Sequence, residues 1–349
     1  MAIRTVVVGL GMGKWHCNGV KATAGMELAG VCDIDAARLA LATKEYGVKG
    51  YATLDAVLAD PEVDLVTLVT RHDQHCDMAV AALGAGKHVV LDKPFCLCVA
   101  EADRMIAARD RAKRMLSCFH CRRWDPDYLT VRRALDTGAI GRMLQIQINQ
   151  AGFHGQGGWR RNRKHMGGLF YDWGAHFADL LCQLGGAPAV SVSGRVQYGP
   201  HGHEVEDFIH VIVEFGNGVL ALVSQSGISH FAGPRWIVSG EKGSLKEDGQ
   251  GHDTWDNEVQ PAFVRASLNG VPAEIKVDRL PGSWKSYYQN VSEHLNEGKE
   301  LIVTAEQARA AVELMQAAYI SAEDGRIVAL PLKGAEAARV PSKVRPVKG

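Results

Sequence analysis

The chain has no surplus of charge of either sign, since 39 Lys and Arg stand against 39 Asp and Glu. No overall field therefore draws it to nucleic acid or to an anionic membrane. No stretch approaches the roughly 20 apolar residues of a membrane span. The start, Met1-Ala2-Ile3-Arg4, has too short an apolar run for a secretory signal. No segment repeats at a fixed period. Of the eight cysteines, Cys96-Leu97-Cys98 and Cys118-Phe119-His120-Cys121 are a combination that could hold zinc, but the first opens a helix, the second closes a strand, and neither has zinc-finger spacing. Cys17, Cys32, Cys76 and Cys182 fall on apolar faces, as reduced thiols do in a cytosolic protein. These absences predict a cytoplasmic chain with no metal, nucleic-acid or membrane partner.

What is present starts at Val6. Val6-Val7-Val8 reads as a buried parallel strand and leads into Gly9-Leu10-Gly11-Met12-Gly13-Lys14. A short helical pattern follows, then a second strand, Glu27-Leu28-Ala29-Gly30-Val31-Cys32, ending on Asp33. Strand, glycine turn, helix, strand and terminal acid is the order of a dinucleotide-binding unit. Gly9 permits the tight turn, Gly11 lets a pyrophosphate approach the backbone, and the next helix opens with amides facing the phosphates. Asp33 is placed to accept hydrogen bonds from the ribose hydroxyls and to repel a 2′-phosphate, which favours NAD over NADP. The third small residue of G-x-G-x-x-G/A falls one place early, at Gly13, so the turn is one residue short and Lys14 becomes a phosphate contact.

The βα rhythm continues through helices at 35–46, 54–59, 74–84 and 99–113 and strands at 63–69, 88–91 and 115–120. This alternation specifies a doubly wound parallel sheet whose ligands bind at the carboxyl ends of its strands. Thr70-Arg71-His72-Asp73-Gln74-His75, Asp92-Lys93-Pro94 and Cys121-Arg122-Arg123-Trp124 all fall there. From Arg142 on, alternating runs at 143–149, 190–196, 208–215, 219–224 and 236–239 replace the βα units, with Gly216-Asn217-Gly218 as a hairpin turn. A length of 349 residues suits two domains. The expected division is an NAD-binding domain at 1–122 and an α+β domain with a large open, mainly antiparallel sheet at 123–332. C-terminal helices can pack back on the first domain, and a flexible basic tail follows at 333–349. The open sheet is expected to expose a broad apolar face through which a homodimer or homotetramer forms.

One helix, expected from Gly168 to Leu184, interrupts the strands. It places Asp172, His176 and Asp179 at i, i+4 and i+7, three polar groups on one face. The plain alternative is a core histidine bonded to Asp172. Upstream, His154, Trp159, Arg160, Arg161, Arg163 and Lys164 form a basic cluster that suits a polyhydroxylated or acidic substrate, or else simply faces water.

Taken together these pieces resemble the glucose–fructose oxidoreductase, inositol dehydrogenase and rhizopine-catabolism family of NAD(P)-dependent oxidoreductases. The resemblance covers nearly the whole chain. It runs through Gly9-Leu10-Gly11 with His16 behind it, Val31-Cys32-Asp33, and Thr70 to His75, with Arg71 where the family has proline. It continues through Asp92-Lys93-Pro94, Arg122-Arg123-Trp124-Asp125 preceded by Cys121 where asparagine is common, Gly167 to His176, and Gly240 to Leu245. It implies a dehydrogenase of a sugar, inositol or related polyol, with Gly9, Gly11, Met12, Gly13, Lys14, Asp33, Thr70, Arg71, His75, Asp92 and Lys93 on the cofactor. Lys93 would bond the reacting oxygen, His176 move the proton, and Asp172 hold the hydroxyl, orient Lys93 or tune the imidazole, in a cleft between domains. Arg123, Trp124, His154, Trp159 and Arg160 would meet the substrate. Two other functions fit the same fold: transient oxidation by a retained NAD that gives glycoside cleavage or epimerisation, and a non-catalytic cofactor-binding regulator.

Overall fold

The β-branched runs of the first third become strands buried on both faces, and the segments between them become helices with one apolar side. In the computed structural model, which describes residues 2–231, 233–248, 261–268 and 270–341, the first elements alternate strictly. They are β1 (Ile3–Val8), α1 (Gly13–Lys21), β2 (Met26–Cys32), α2 (Ala36–Tyr46), β3 (Lys49–Tyr51), α3 (Leu54–Leu58), β4 (Leu65–Leu68), α4 (His75–Gly84), β5 (His88–Leu91), α5 (Val99–Ala112) and β6 (Leu116–Cys118). The six strands form one sheet in the order β3-β2-β1-β4-β5-β6, all pairs parallel. Val6, Val7, Leu65, Val66, Leu68, Val89, Val90 and Leu91 are wholly buried in it, each stabilising the fold by about 1.5–3 kcal/mol. The strand order reverses between β1 and β4, the place where open α/β sheets take their ligands.

Two compact units make up the chain. The first comprises residues 1–121 and 285–312, and the second takes 122–284 and the described residues from 313 on. The second unit is built from α6 (Pro126–Asp136), β7 (Met143–Ala151), α7 (Arg163–Met166), α8 (Trp173–Leu184), β8 (Ala189–Gln197), β9 (Phe208–Phe215), β10 (Leu220–Ser226), β11 (Trp236–Gly240), β12 (Gly243–Glu247), β13 (Ala262–Leu268) and β14 (Val271–Val277). The chain then adds α9 (Lys285–Glu297) to the first unit, and α10 (Ala305–Asp324) runs from the first into the second. β15 (Val328–Ala329) is the last strand among the described residues. The second sheet has nine strands in the order β14-β13-β12-β11-β7-β10-β9-β8-β15. It is antiparallel except at its centre, where β7 and β10 run parallel. The segment after β7 folds into α7 and α8 instead of a hairpin, which is what a parallel neighbour requires.

Gly194 shows how α10 is seated within the second unit. A Cβ there would stand 2.1 Å from the Ala318 carbonyl oxygen, so only glycine lets the helix backbone lie against β8. The outward face of the sheet corrects the expectation of a broad apolar surface. Gln145, Gln147 and Asn149 of β7, Ser191 and Ser193 of β8, and His210 and Glu214 of β9 stand at the less buried alternate positions among Leu220, Leu222 and Ile212. Alternation buried the aliphatic set on the helix side and left a mixed set outside. Of the tail expected at 333–349, Arg339 pairs with Glu323 and Asp324 at the end of α10, while 342–349 lie outside the described residues. All eight cysteines are free thiols, seven of them buried. Among the described residues no helix is long and apolar enough to cross a membrane.

Candidate active site

The glycine turn is shaped by backbone that no side chain tolerates. Gly9 has φ +93°, and a Cβ on it would come within 2.1 Å of the Val69 carbonyl oxygen. At Gly11 a Cβ would meet only Arg38 Nη1, at 3.7 Å, so the turn is open where a pyrophosphate would lie. A Cβ on Gly13 would press on Val7 Cγ1 at 3.1 Å. Gly13 thus performs the close helix-to-strand packing of the third glycine, one place early, and α1 starts there. Met12, half exposed, is the residue before α1. Asp33 is buried, and its carboxylate clamps the turn: Oδ2 accepts from the Leu10 N–H at 2.8 Å and Oδ1 from the Asp35 N–H at 2.8 Å. The Arg38 guanidinium stands 3.5 Å from Asp33 and 3.4 Å from Asp35. An open glycine turn, a helix amino terminus and a buried acid at the end of β2 together fit a dinucleotide. Lys14 takes a different direction from the one expected of it, since its ammonium pairs with Glu45 of α2 at 2.9 Å.

A second turn forms at the carboxyl end of β5. The Asp92 N–H donates to the Leu68 carbonyl at 2.8 Å, and Asp92 Oδ1 accepts the N–H of Lys93 at 2.8 Å. His75, wholly buried, stands with Nδ1 2.8 Å from the Pro94 carbonyl oxygen and Nε2 3.3 Å from that of Thr70. Burial pushes the His75 imidazole below its ordinary pKa. A neutral ring donates one bond, and the shorter contact assigns it to Pro94. His75 therefore ties the start of α4 to the Lys93 turn. Arg71 lies 3.5 Å from Asp73 within its own loop, and the Thr70 hydroxyl faces Met78 Sδ at 3.5 Å.

In the second unit the expected helix from Gly168 divides. A single 3₁₀ turn, Leu169–Tyr171, precedes α8, and Asp172 is the residue between them, with φ −90° and ψ −97°. Asp172 is therefore not one turn below His176 on a continuous helix. The cause is the buried carboxylate of Glu206, which accepts the Leu169 N–H at 2.8 Å, pairs with Arg163 and takes the Tyr319 hydroxyl. Tyr319 Oη also accepts the Phe170 N–H at 2.8 Å. A Cβ on Gly168 would sit 2.2 Å from that same hydroxyl oxygen. Burial opposes the Arg163 charge, and Glu206 outweighs it and holds the guanidinium above the ordinary arginine range.

Around this turn, Asp172 Oδ2 lies 3.8 Å from Arg160 Nε. Arg160 stacks on Trp159 at 4.5 Å, Arg122 stacks on Trp173 at 4.3 Å, and the Trp173 and His176 rings meet edge to face at 6.1 Å. His176 is buried on α8. Carboxylate, imidazole, two guanidinia and two indoles are group types suited to binding a hydroxylated ligand and to accepting a proton from it. Asp179 and Arg123 are otherwise engaged: both are buried and hold each other through two bonds of 2.8 and 2.5 Å. Trp124, next to Arg123 in sequence, is half buried, and His154 is exposed in the loop after β7, where its N–H donates to the Gly227 carbonyl at 3.1 Å. Glu206, Tyr319 and the structural role of Arg163 escape sequence reasoning. Their one signal is an acid pair, Glu206-Asp207, directly before an apolar strand with no turn residue between. Among the described residues, no group of three or more His, Cys, Asp or Glu side chains is arranged to hold a metal ion.

Residues 3–120 match the family model for the NAD-binding Rossmann fold of the Gfo/Idh/MocA oxidoreductases, and residues 132–330 match that of their C-terminal alpha/beta domain. The chain is 28% identical over 295 residues to scyllo-inositol 2-dehydrogenase (NADP(+)) IolW of Bacillus subtilis (strain 168), covering 79% of this chain and 82% of that protein. Among solved structures, an NAD-binding protein from Listeria innocua superposes with TM-score 0.86 at 28% identity, over 95% of this chain and 100% of that one. The WlbA dehydrogenase from Chromobactrium violaceum, solved with NADH and UDP-GlcNAcA, superposes with TM-score 0.81 at 27% identity, over 95% and 97% of the two chains.

Proposed function

The chain belongs to the Gfo/Idh/MocA family of oxidoreductases, and from that membership we propose an NAD-dependent dehydrogenase that oxidises a hydroxyl of a sugar, inositol or related polyol. Bound nicotinamide dinucleotide supplies the hydride acceptor. The observation that carries the reading is the Asp92–Pro94 turn: three hydrogen bonds from β4, His75 and Asp92 itself fix a lysine at the carboxyl end of β5, in the unit that holds the open glycine turn. In this reading the Lys93 ammonium bonds the reacting oxygen and favours the alkoxide. His176 takes the hydroxyl proton, as an imidazole does near neutral pH. Asp172, steadied by Arg160, orients the hydroxyl or the imidazole. Asp33 favours NAD, because a buried carboxylate already bonded to the Leu10 amide repels a 2′-phosphate.

The relative named for scyllo-inositol and the one solved with UDP-GlcNAcA define the panel to try: inositols, aldoses and uronates, with NAD or NADP, read by nicotinamide absorbance. Turnover of a panel member that falls by on the order of 10²–10⁴-fold in Lys93→Ala and in His176→Ala supports the reading. Full activity in either variant sinks the role given to that residue. Cofactor that copurifies near one per chain, with substrate converted and no absorbance change, points to transient oxidation instead.

A further inference from the structure

We propose that Tyr288 and His16 are positioning residues for Lys93, joined to it through Asp92 by a buried chain of polar contacts that begins on α9. The inference rests on the reading of Lys93 given above. Tyr288 lies 272 residues from His16 in sequence, yet α9 belongs to the first compact unit and inserts this side chain into its core. Tyr288 Oη stands 2.7 Å from His16 Nδ1 and 3.3 Å from Thr67 Oγ1 of β4. The opposite ring nitrogen, His16 Nε2, faces Asp92 Oδ1 at 3.7 Å. That oxygen is the one that accepts the Lys93 N–H. His16, Tyr288 and Thr67 are all buried, and the imidazole is packed against Phe119 with ring centroids 4.4 Å apart.

The arrangement has a direction. A neutral imidazole with its proton on Nδ1 would aim the Nε2 lone pair at a carboxylate. With the proton on Nε2 it donates toward Asp92 and accepts from the Tyr288 hydroxyl, which in turn accepts from Thr67. Every donor then points down the chain to Asp92. Burial works against ionisation of Asp92, and the contact with His16 together with the charge of Lys93 outweighs it, holding the carboxyl well below its usual range. Removal of the Tyr288 hydroxyl frees the ring from that tautomer and weakens the hold of the imidazole on Asp92, whose Oδ1 carries the Lys93 N–H. Buried networks of this kind act beyond the sum of their pairs. Tyr287 is the matched comparison: its hydroxyl donates to Ser117 Oγ at 2.8 Å, and Ser117 Oγ donates in turn to the Val303 carbonyl oxygen at 2.8 Å.

The test uses the full chain and two measurements. Acetylation of Lys93 by limiting acetic anhydride, followed by mass spectrometry, reports the lysine's exposure and basicity without any substrate. Turnover of the active panel member and the Kd for NADH, from fluorescence, report function. Tyr288→Phe is expected to change the Lys93 labelling rate severalfold and lower kcat on the order of tenfold, with the NADH Kd unmoved. Tyr287→Phe should leave all three unchanged, and His16→Gln, which keeps a donor toward Asp92, should retain more activity than His16→Leu. Unchanged labelling in Tyr288→Phe overturns the inference, whatever the kinetics do. Changed labelling with unchanged kcat leaves the positioning intact and overturns instead the role of Lys93 in turnover.

Discussion

The turn at Gly9–Gly13 and the turn at Gly167–Asp172 do comparable work, since each presents polar groups at the start of a helix, yet they are held by different means. The first is mostly local. Its shape follows from Gly9 and Gly13, the strand before it and an acid at the end of the next strand, within about 25 residues, with the Val69 carbonyl against Gly9 a more distant neighbour. The second is held by Glu206, Arg163 and Tyr319, which approach from the loop before β9, from the short helix α7 and from the late helix α10, with up to 149 residues between partners. Local turns are fixed by what φ and sterics forbid. The distant one is fixed by a buried charge that must be satisfied. The two should therefore fail differently when altered.

The largest effect is expected at the long-range turn. Glu206→Gln leaves the buried Arg163 guanidinium without its counter-charge, a change that destabilises by about 3–5 kcal/mol in comparable pairs. Urea denaturation should show this, together with earlier proteolysis near Gly167. A loss below about 1 kcal/mol would mean that the turn is held by packing alone, and the contrast between the two turns would disappear. Gly9→Ala comes next. Its Cβ must evade the Val69 carbonyl in a conformation that costs alanine about 1–3 kcal/mol, and the displacement falls where a pyrophosphate would sit. Calorimetric titration with NADH should then lose its signal while the second unit keeps its melting behaviour.

This contrast also explains how much of the molecule is legible in the sequence. The parallel sheet and the glycine turn are encoded by neighbours, so Val6 to Asp33 can be read as one sentence. Asp172 and His176 are legible as residues, but their geometry is not. A continuous helix from Gly168 is the reasonable reading of that segment, and nothing in it announces that Glu206 will bind the Leu169 amide and break the helix. Arg163 looks like one more surface cation in a basic run, and Arg123 like a cleft residue. Both are buried because an acid from elsewhere, Glu206 or Asp179, meets them. Lys14 illustrates the same limit on a smaller scale, since its partner Glu45 lies on the neighbouring helix.

A smaller change sharpens the local side of the comparison. Asp33→Ser removes the charge that opposes a 2′-phosphate while Arg38 remains beside the vacancy, half exposed. The ratio of NADP to NAD affinity should rise about tenfold or more, which is ~1.4 kcal/mol. The Leu10 amide can keep a hydroxyl acceptor, so the turn should survive. If the ratio does not move, or if NAD binding is lost outright, Asp33 acts only as a clamp on Leu10 and not in cofactor choice.

The smallest expected effect separates the two units by the sign of their response to acid. In the first, His88 Nδ1 accepts the Met115 N–H at 2.9 Å, and burial, helped by Arg114, pushes its pKa from 6.5 to about 4. The native imidazole stays neutral while the unfolded one takes up a proton, so this unit loses stability as pH falls from 6.5 to 4. In the second, burial raises Asp125 from 3.8 to about 6, with Arg122 only partly offsetting it. There the native carboxyl keeps a proton that the unfolded chain releases, so stability is lost as pH rises from 4 to 6 and regained on acidification. Each contribution is on the order of 1 kcal/mol once relaxation and solvent screening are allowed for. In global unfolding the two slopes oppose each other and largely cancel. Hydrogen exchange of β5 and of α6, corrected for the intrinsic rate at each pH, separates them. Protection in β5 should fall on acidification and that in α6 should rise, with His88→Gln flattening only the first and Asp125→Asn only the second. A common slope in both segments, unaltered by either substitution, would mean that the two units respond to pH as one body through other groups.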